Sequence, residues 1–491
     1  MIAPQVIVIL IGVYFTFLLV VSWLTGRKAD NASFFIGNRR SPWYIVAIGM
    51  IGASISGVTF ISVPGWVVDS NFSYMAMVLG FLFGYAFIAE VLLPMYYKLQ
   101  LTSIYTYLGV RFGQNSYKTG SAFFLISRTI GSAFRLYLTA KVLQLVVFDA
   151  LHIPFIVTVT GFVALIWLYT RKGGIRTVIW TDTFQAVIML TTVVATFILI
   201  SKALNFSFGQ AVKAIHDHDM SKMVFLDDIR DKRHFIKQFF SGIFITIVMT
   251  GLDQGMMQKN ISCRSLKEAK KNVYTYSSMF VPINLLFLSL GVMLVMYANS
   301  KGIAIPASRD DLFPLIVTSG GLGPVIIILF ITGLIAAAYS SSDSCLTALT
   351  TSFTFDILGA GNKEAKALSR TRQKVHIMFA LILIGVIMIF RQINNPSIIS
   401  AIYTVAGYTY GPLLGLYSFG LFTRRKVIDR AVPFVCVASP LIVLFLNMNA
   451  DKWLGGYQIG YELLIVNGLI TFLGLLAFSR KAEKLLPGTD C

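Results

Sequence analysis

The chain has 491 residues, 56% of them hydrophobic and only 13% charged, with a net charge of +19 and a mean hydropathy of +0.74. Apolar runs of about 20 residues recur from end to end, each long enough to cross a bilayer as a helix, which excludes a soluble globular domain. The positive charge sits mostly in short loops between these runs rather than in a patch, which argues against nucleic acid. Cys263, Cys345, Cys436 and Cys491 show neither paired nor metal-ligand spacing, so no disulfide framework or zinc site is expected.

The pattern predicts an all-α polytopic membrane protein, because a bilayer leaves backbone groups no other partner. Thirteen helices are expected, near 5–25, 43–68, 73–97, 119–148, 153–170, 178–201, 238–258, 272–298, 322–357, 375–390, 397–422, 431–448 and 458–479. The first, Val6 to Leu24, has no basic stretch before it and no small-residue cleavage pattern after it, and reads as an uncleaved helix. The second is dense in Gly and Ser from Gly49 to Gly65 and carries Pro64. Such a stretch loosens a helix and frees carbonyls to bind a cation or a solute. The third is apolar from Met75 to Phe83. The fourth carries Arg128 and Arg135 at i, i+7, on one face. The sixth opens near Asp182. The outer loop Lys202 to Lys237 mixes His216, His218, acidic and basic residues, and reads as a solvated connector rather than a metal site.

The seventh helix is interrupted at Met249 to Gly255, around Asp253 and Gln254. The two breaks are five helices apart, the spacing expected of inverted five-helix repeats with broken first helices. This divides the chain into a leading helix and inner loop (1–42), a first repeat (43–201), an outer loop (202–237), a second repeat (238–422) and two trailing helices with a short basic tail (423–491). In the ninth helix Ala337, Ser340, Ser341 and Ser344 fall at i, i+3, i+4 and i+7, which is one face. Three hydroxyls there suit a hard cation such as sodium. Taken alone, the stretch is more simply read as serines back-bonded as helix–helix glue.

Ionisable groups at bilayer depth are costly and mark a site or a pair by default. Here they are Glu90, Arg128, Arg135, Lys141, Asp182, Asp253 and Asp343. With the N-terminus outside, the inner segments collect 27 of the 41 basic residues, Lys259 among them. This positive-inside asymmetry predicts N-out, C-in in a plasma or bacterial inner membrane. The five histidines, His152, His216, His218, His234 and His376, lie in loops or near helix ends and assemble no catalytic set, so no enzyme is expected.

Three stretches together resemble the sodium:solute symporter family. They are Gly173-Gly174-Ile175 with Trp180 to Gln185, Asp253 to Lys259, and Ala336 to Ser344. The resemblance implies a leucine-transporter-like core of ten helices with one helix before it and two after, and sodium as the coupling ion. It further implies a sodium site of the Gly52, Ile55 and Ala337 carbonyls and the Ser340 and Ser341 hydroxyls, with Gly52 where an alanine is usual. A second sodium is implied at Asp182, Ser340 and Ser344, with Asp343 where many members carry Ser or Thr. The run from Ser56 to Pro64 is similar to the sialic-acid branch, in which an arginine of the fourth helix meets the sugar carboxylate. Ser54, Ser56, Thr59, Arg128, Arg135, Asp253 and Gln254 are thereby candidate solute contacts, and Tyr403 and Tyr408, with Tyr410, candidate gate residues. An arginine paired with Glu90 or Asp253 is the plainer reading. The expected function is sodium-coupled import of a small polar organic solute, a sugar or sugar acid such as sialic acid, by alternating access. The alternatives are another solute of the family (an amino acid, a vitamin, a monocarboxylate or an inorganic anion) and proton coupling through Asp182 or Asp343. The expected partners are sodium, the solute and the bilayer.

Overall fold

The computed structural model describes residues 4–27, 30–392, 398–453 and 455–480, and these are almost wholly helical. In chain order the principal helices are α1 (Pro4–Gly26), α2 (Trp43–Ser54), α3 (Gly57–Ser70), α4 (Tyr74–Phe87), α5 (Gln114–Leu143), α6 (Phe155–Thr170), α7 (Ile175–Ala203) and α8 (Phe235–Thr246). There follow α9 (Gln254–Ile261), α10 (Leu266–Ser300), α11 (Pro324–Ser352), α12 (Ala365–Phe390), α13 (Ile398–Phe422), α14 (Val432–Trp453) and α15 (Leu463–Ala477). Lys28 and the basic tail from Lys481 to Cys491 lie outside the described residues.

Among the described residues, eight helices are long and apolar enough to cross a bilayer, and α8 with α9, bent by 67°, makes a ninth. Thirteen were expected, and the shortfall has two physical sources. First, α2, α6 and α15 are apolar but only 12, 16 and 15 residues long, about 18–24 Å at 1.5 Å per residue, and α13, though 25 residues long, is diluted by glycines, tyrosines and Pro412 and is not apolar enough to count. Second, Gly57 to Lys98 is one nearly continuous 42-residue helical stretch where one span was expected to end and another to begin.

Both expected breaks are present. Ile55 (φ −85°, ψ 89°) and Ser56 (φ −83°, ψ 175°) leave helical geometry between α2 and α3. Pro64 is accommodated inside α3. Leu252 (φ −106°, ψ 15°) and Asp253 (φ −103°, ψ 119°) do the same between α8 and α9.

Small residues set the spacing around these breaks. A Cβ on Gly80 of α4 would lie 2.1 Å from the Phe239 carbonyl, and one on Gly242 of α8 would lie 2.2 Å from that of Met77. The two backbones therefore touch, as membrane helices do when small residues line the seam. In α13, Pro412 lacks the N–H that would bond the Tyr408 carbonyl. Asn467 of α15 replaces it, donating Nδ2–H to Tyr408 O at 2.8 Å and to Gly407 O at 2.9 Å. Gly411 leaves the room, since a Cβ there would sit 2.3 Å from the Asn467 amide. Replacing Asn467 with alanine is expected to cost about 1–3 kcal/mol, the penalty for a buried polar group left unpaired. The measurement is the unfolding temperature in detergent, and no change would show that α13 does not rely on α15.

The outer loop is anchored at both ends. Ser207 and Gln210 form a capping box at the start of the short helix Phe208–His216. Lys237 is buried against the Gln458 carbonyl at 2.9 Å and Glu462 at 3.3 Å.

Candidate cation and solute site

The α2–α3 break lies against α7 and α11. Beyond the Ile55 N–H to Ile51 O bond of 2.9 Å, no backbone N–H reaches the Gly52 or Ile55 carbonyl among the described residues, so both are free to accept elsewhere. A Cβ on Gly52 would lie 2.8 Å from the Asp182 carbonyl and 3.1 Å from both Ala186 Cβ and Ser340 Oγ. The departure from alanine at this position is thus enforced by close packing of α2 on α7 and α11.

On α11 the serine face is wholly buried, and its hydroxyls divide their tasks. Ser340 Oγ donates to Asp182 Oδ1 at 2.6 Å and Ser344 Oγ to Asp182 Oδ2 at 3.3 Å. Ser341 Oγ donates to its own helix at Ala338 O, 3.1 Å away, which leaves its lone pairs available. Asp343 points to another side of the helix, where its carboxylate accepts Tyr169 OH at 3.0 Å and Thr181 Oγ1 at 3.2 Å. Sequence reasoning missed Lys259. It belongs to α9 rather than an inner loop, has no solvent exposure, and places Nζ 2.5 Å from Asp182 Oδ2. Its place beside the basic residues after Cys263 concealed its depth.

A cavity of about 90 Å³ opens beside the break and is lined by Ser54, Ser56, Thr59, Arg128, Arg135 and Tyr403. The third expected span, apolar from Met75 to Phe83, contributes the aromatic wall of Tyr74, Phe81 and Tyr85. Ser54 Oγ and Tyr276 OH are 2.7 Å apart, and Tyr276 also bonds Tyr85. Arg128 Nη1 lies 3.5 Å from Asp253 Oδ2, the plainer pairing, while its Nε and Nη2 are buried with no partner. Glu90 is taken up by Lys270 at 2.5 Å and Tyr274 at 2.9 Å.

Three expected contacts are placed differently. Asp253 is fully buried, caps α9 by accepting Met256 N–H at 3.0 Å, and accepts Tyr410 OH at 3.0 Å. Gln254 turns away from the cavity to bond Ile104 N–H at 2.9 Å and Thr102 O at 2.8 Å, because the bend rotates it onto the far side of Asp253. Tyr408 accepts Asn447 Nδ2–H of α14 at 2.9 Å, whereas Tyr403 stays at the cavity, 3.2 Å from Tyr74 OH.

The model of the sodium:solute symporter family matches residues 34–431. The chain belongs to this family. The symporter is 26% identical to the sodium/sialic acid symporter SiaT of Proteus mirabilis, over 94% of both chains. It is 26% identical to the sodium/sialic acid symporter NanT of Aliivibrio fischeri, over 94% of this chain and 90% of that one. The sodium-dependent multivitamin transporter of Oryctolagus cuniculus is 27% identical, over 90% of this chain and 70% of that one. In fold the symporter is similar to a substrate-bound, outward-open sodium-coupled sialic acid symporter. That match has a TM-score of 0.82 at 21% identity and covers 98% and 99% of the two chains. It is also similar to the nucleobase-cation symporter Mhp1 in a closed conformation, with a TM-score of 0.59 at 14% identity over 92% and 94%. The chain is therefore a multi-pass membrane transporter that couples solute movement to sodium.

Proposed function

We propose that this symporter imports a small carboxylated solute of the sugar-acid class, sialic acid being the first candidate, down the inward sodium gradient. The observation that carries this reading is the charge balance of the cavity. Two guanidinium groups, Arg128 and Arg135, face it, and Asp253 is the carboxylate that pairs with one of them. The unpartnered Nε and Nη2 of Arg128 offer the bidentate fork that suits a carboxylate. The hydroxyls of Ser54, Ser56 and Thr59 suit the rest of a polar solute. The names of the two bacterial relatives support the same class. A compact monocarboxylate is the second reading, favoured by the small volume and the aromatic wall.

Sodium is proposed to bind between the Gly52, Ile55 and Ala337 carbonyls and the Ser340 and Ser341 hydroxyls, joining the broken α2–α3 pair to α11. Occupation of that site favours the conformation whose cavity accepts solute, and coupling follows because the ion binds one state better than the other. An inward charge moving through 100 mV contributes about 2.3 kcal/mol. Thirteen spans result if α2 with α3, and α8 with α9, each count once, with α2–α7 and α8–α13 as the inverted repeats. The orientation remains N-out, C-in, and Tyr403 with Tyr74 forms the gate.

The test is uptake of labelled sialic acid by proteoliposomes with sodium or potassium outside, with lactate and biotin as competitors. Sodium-dependent uptake that lactate does not compete for supports the reading. Competition by lactate with no sialic acid uptake moves it to the monocarboxylate, and equal uptake in potassium rejects sodium coupling.

A further inference from the structure

The oxygens implied for a second sodium already hold a cation. Asp182 of α7, Ser340 and Ser344 of α11 and Lys259 of α9 meet in the buried interior. The Lys259 ammonium is 2.5 Å from Asp182 Oδ2, whose carboxylate also accepts Ser340 Oγ at 2.6 Å and Ser344 Oγ at 3.3 Å. Sodium and an alkylammonium seek the same surroundings, oxygen lone pairs around a negative charge. Two cations sharing one carboxylate at such distances repel strongly where water is excluded.

The half-helix that carries the ammonium is also anchored. Ser262 Oγ closes its end on the Lys259 carbonyl at 2.6 Å, and Asn260 accepts Asn272 Nδ2–H at 2.7 Å, which ties it to α10. The neighbouring carboxylate, Asp343, is satisfied separately by Tyr169, Thr181 and the Ser344 N–H at 2.5 Å. It makes no ion pair with Lys259 among the described residues.

We infer that Lys259 is a tethered cation standing in for a second sodium, so that this symporter binds a single sodium ion, at the α2–α11 site. The inference rests on the sodium-site reading above, and the two fail in different ways. The experiment is equilibrium binding of radioactive sodium to the purified protein in detergent without solute, for the wild type, Lys259→Ala, and the doubly neutral Lys259→Met/Asp182→Asn. The wild type is expected to bind one ion, the alanine variant one more, and the double variant the same number as the wild type. An alanine variant that folds and binds no additional ion overturns the inference, as does a wild type that binds one ion more than the double variant. The second comparison holds even if the alanine variant does not fold. A wild type that binds none, with one ion gained in Lys259→Ala, rejects the α2–α11 sodium site and keeps Lys259 as the tethered cation.

Discussion

Replacing Arg128 with lysine is expected to raise the solute concentration for half-maximal uptake by about 30-fold or more, in line with the 2–5 kcal/mol lost when one member of a desolvated charge pair is disrupted. Lysine keeps the charge that Asp253 needs but not the planar fork, and the two buried nitrogens without partners are the part of arginine it cannot reproduce. Arg128→Ala is expected to do more, because it also leaves Asp253 buried without its ion pair. Asp253 then retains the Met256 N–H and Tyr410 OH bonds at 3.0 Å each, but these do not supply a full counter-charge. Combining Arg128→Met with Asp253→Asn removes both charges and separates the two effects. Stability is expected to return and uptake is not. Uptake regained by the double variant would mean that Arg128 serves Asp253 alone and never meets the solute.

The largest loss of stability is expected from Asp182→Ala. It strands the Lys259 ammonium where it has no exposure to water, and breaking one side of a buried ion pair costs about 3–5 kcal/mol. Ser340→Ala, by contrast, removes a single donor to the same carboxylate and is expected to cost about 1 kcal/mol. Unfolding temperatures of the two variants in the same detergent give the comparison. Equal shifts would show that Asp182 and Lys259 do not form an ion pair in the folded symporter.

These sites were unequally legible in the sequence. The serine face of α11 was readable because three hydroxyls at helical spacing interrupt an apolar run, and both breaks were readable because glycine, serine and aspartate cluster where a helix needs none of them. Lys259 was not, because in one dimension it adjoins a basic loop and only the 67° bend between α8 and α9 carries it inward. The same bend misplaced Gln254, one residue after a buried carboxylate yet turned to the opposite side. Tyr403 and Tyr408 were indistinguishable by composition. Their roles diverge because α13 presents one to the cavity and the other to α14, which depends on packing partners rather than on local pattern. The count of spans suffered from the reverse problem. The break after Ser54 leaves α2 short, and glycines, tyrosines and Pro412 dilute α13, so length and hydropathy pass over helices that pack around the site.

The junction of Pro412 and Asn467 has a bearing on how the protein is made. The carbonyls of Gly407 and Tyr408 take their hydrogen bonds from a residue about 60 positions further along the chain. Until Asn467 has been synthesised and α15 inserted, the Tyr408 carbonyl, which Pro412 deprives of its helical N–H, lacks this donor, and α13 can take its final seat only then. The last helix is in this sense a latch for the one two before it. A nascent chain released before Asn467 is synthesised would present to the membrane's quality-control machinery a helix with a backbone carbonyl that has no donor.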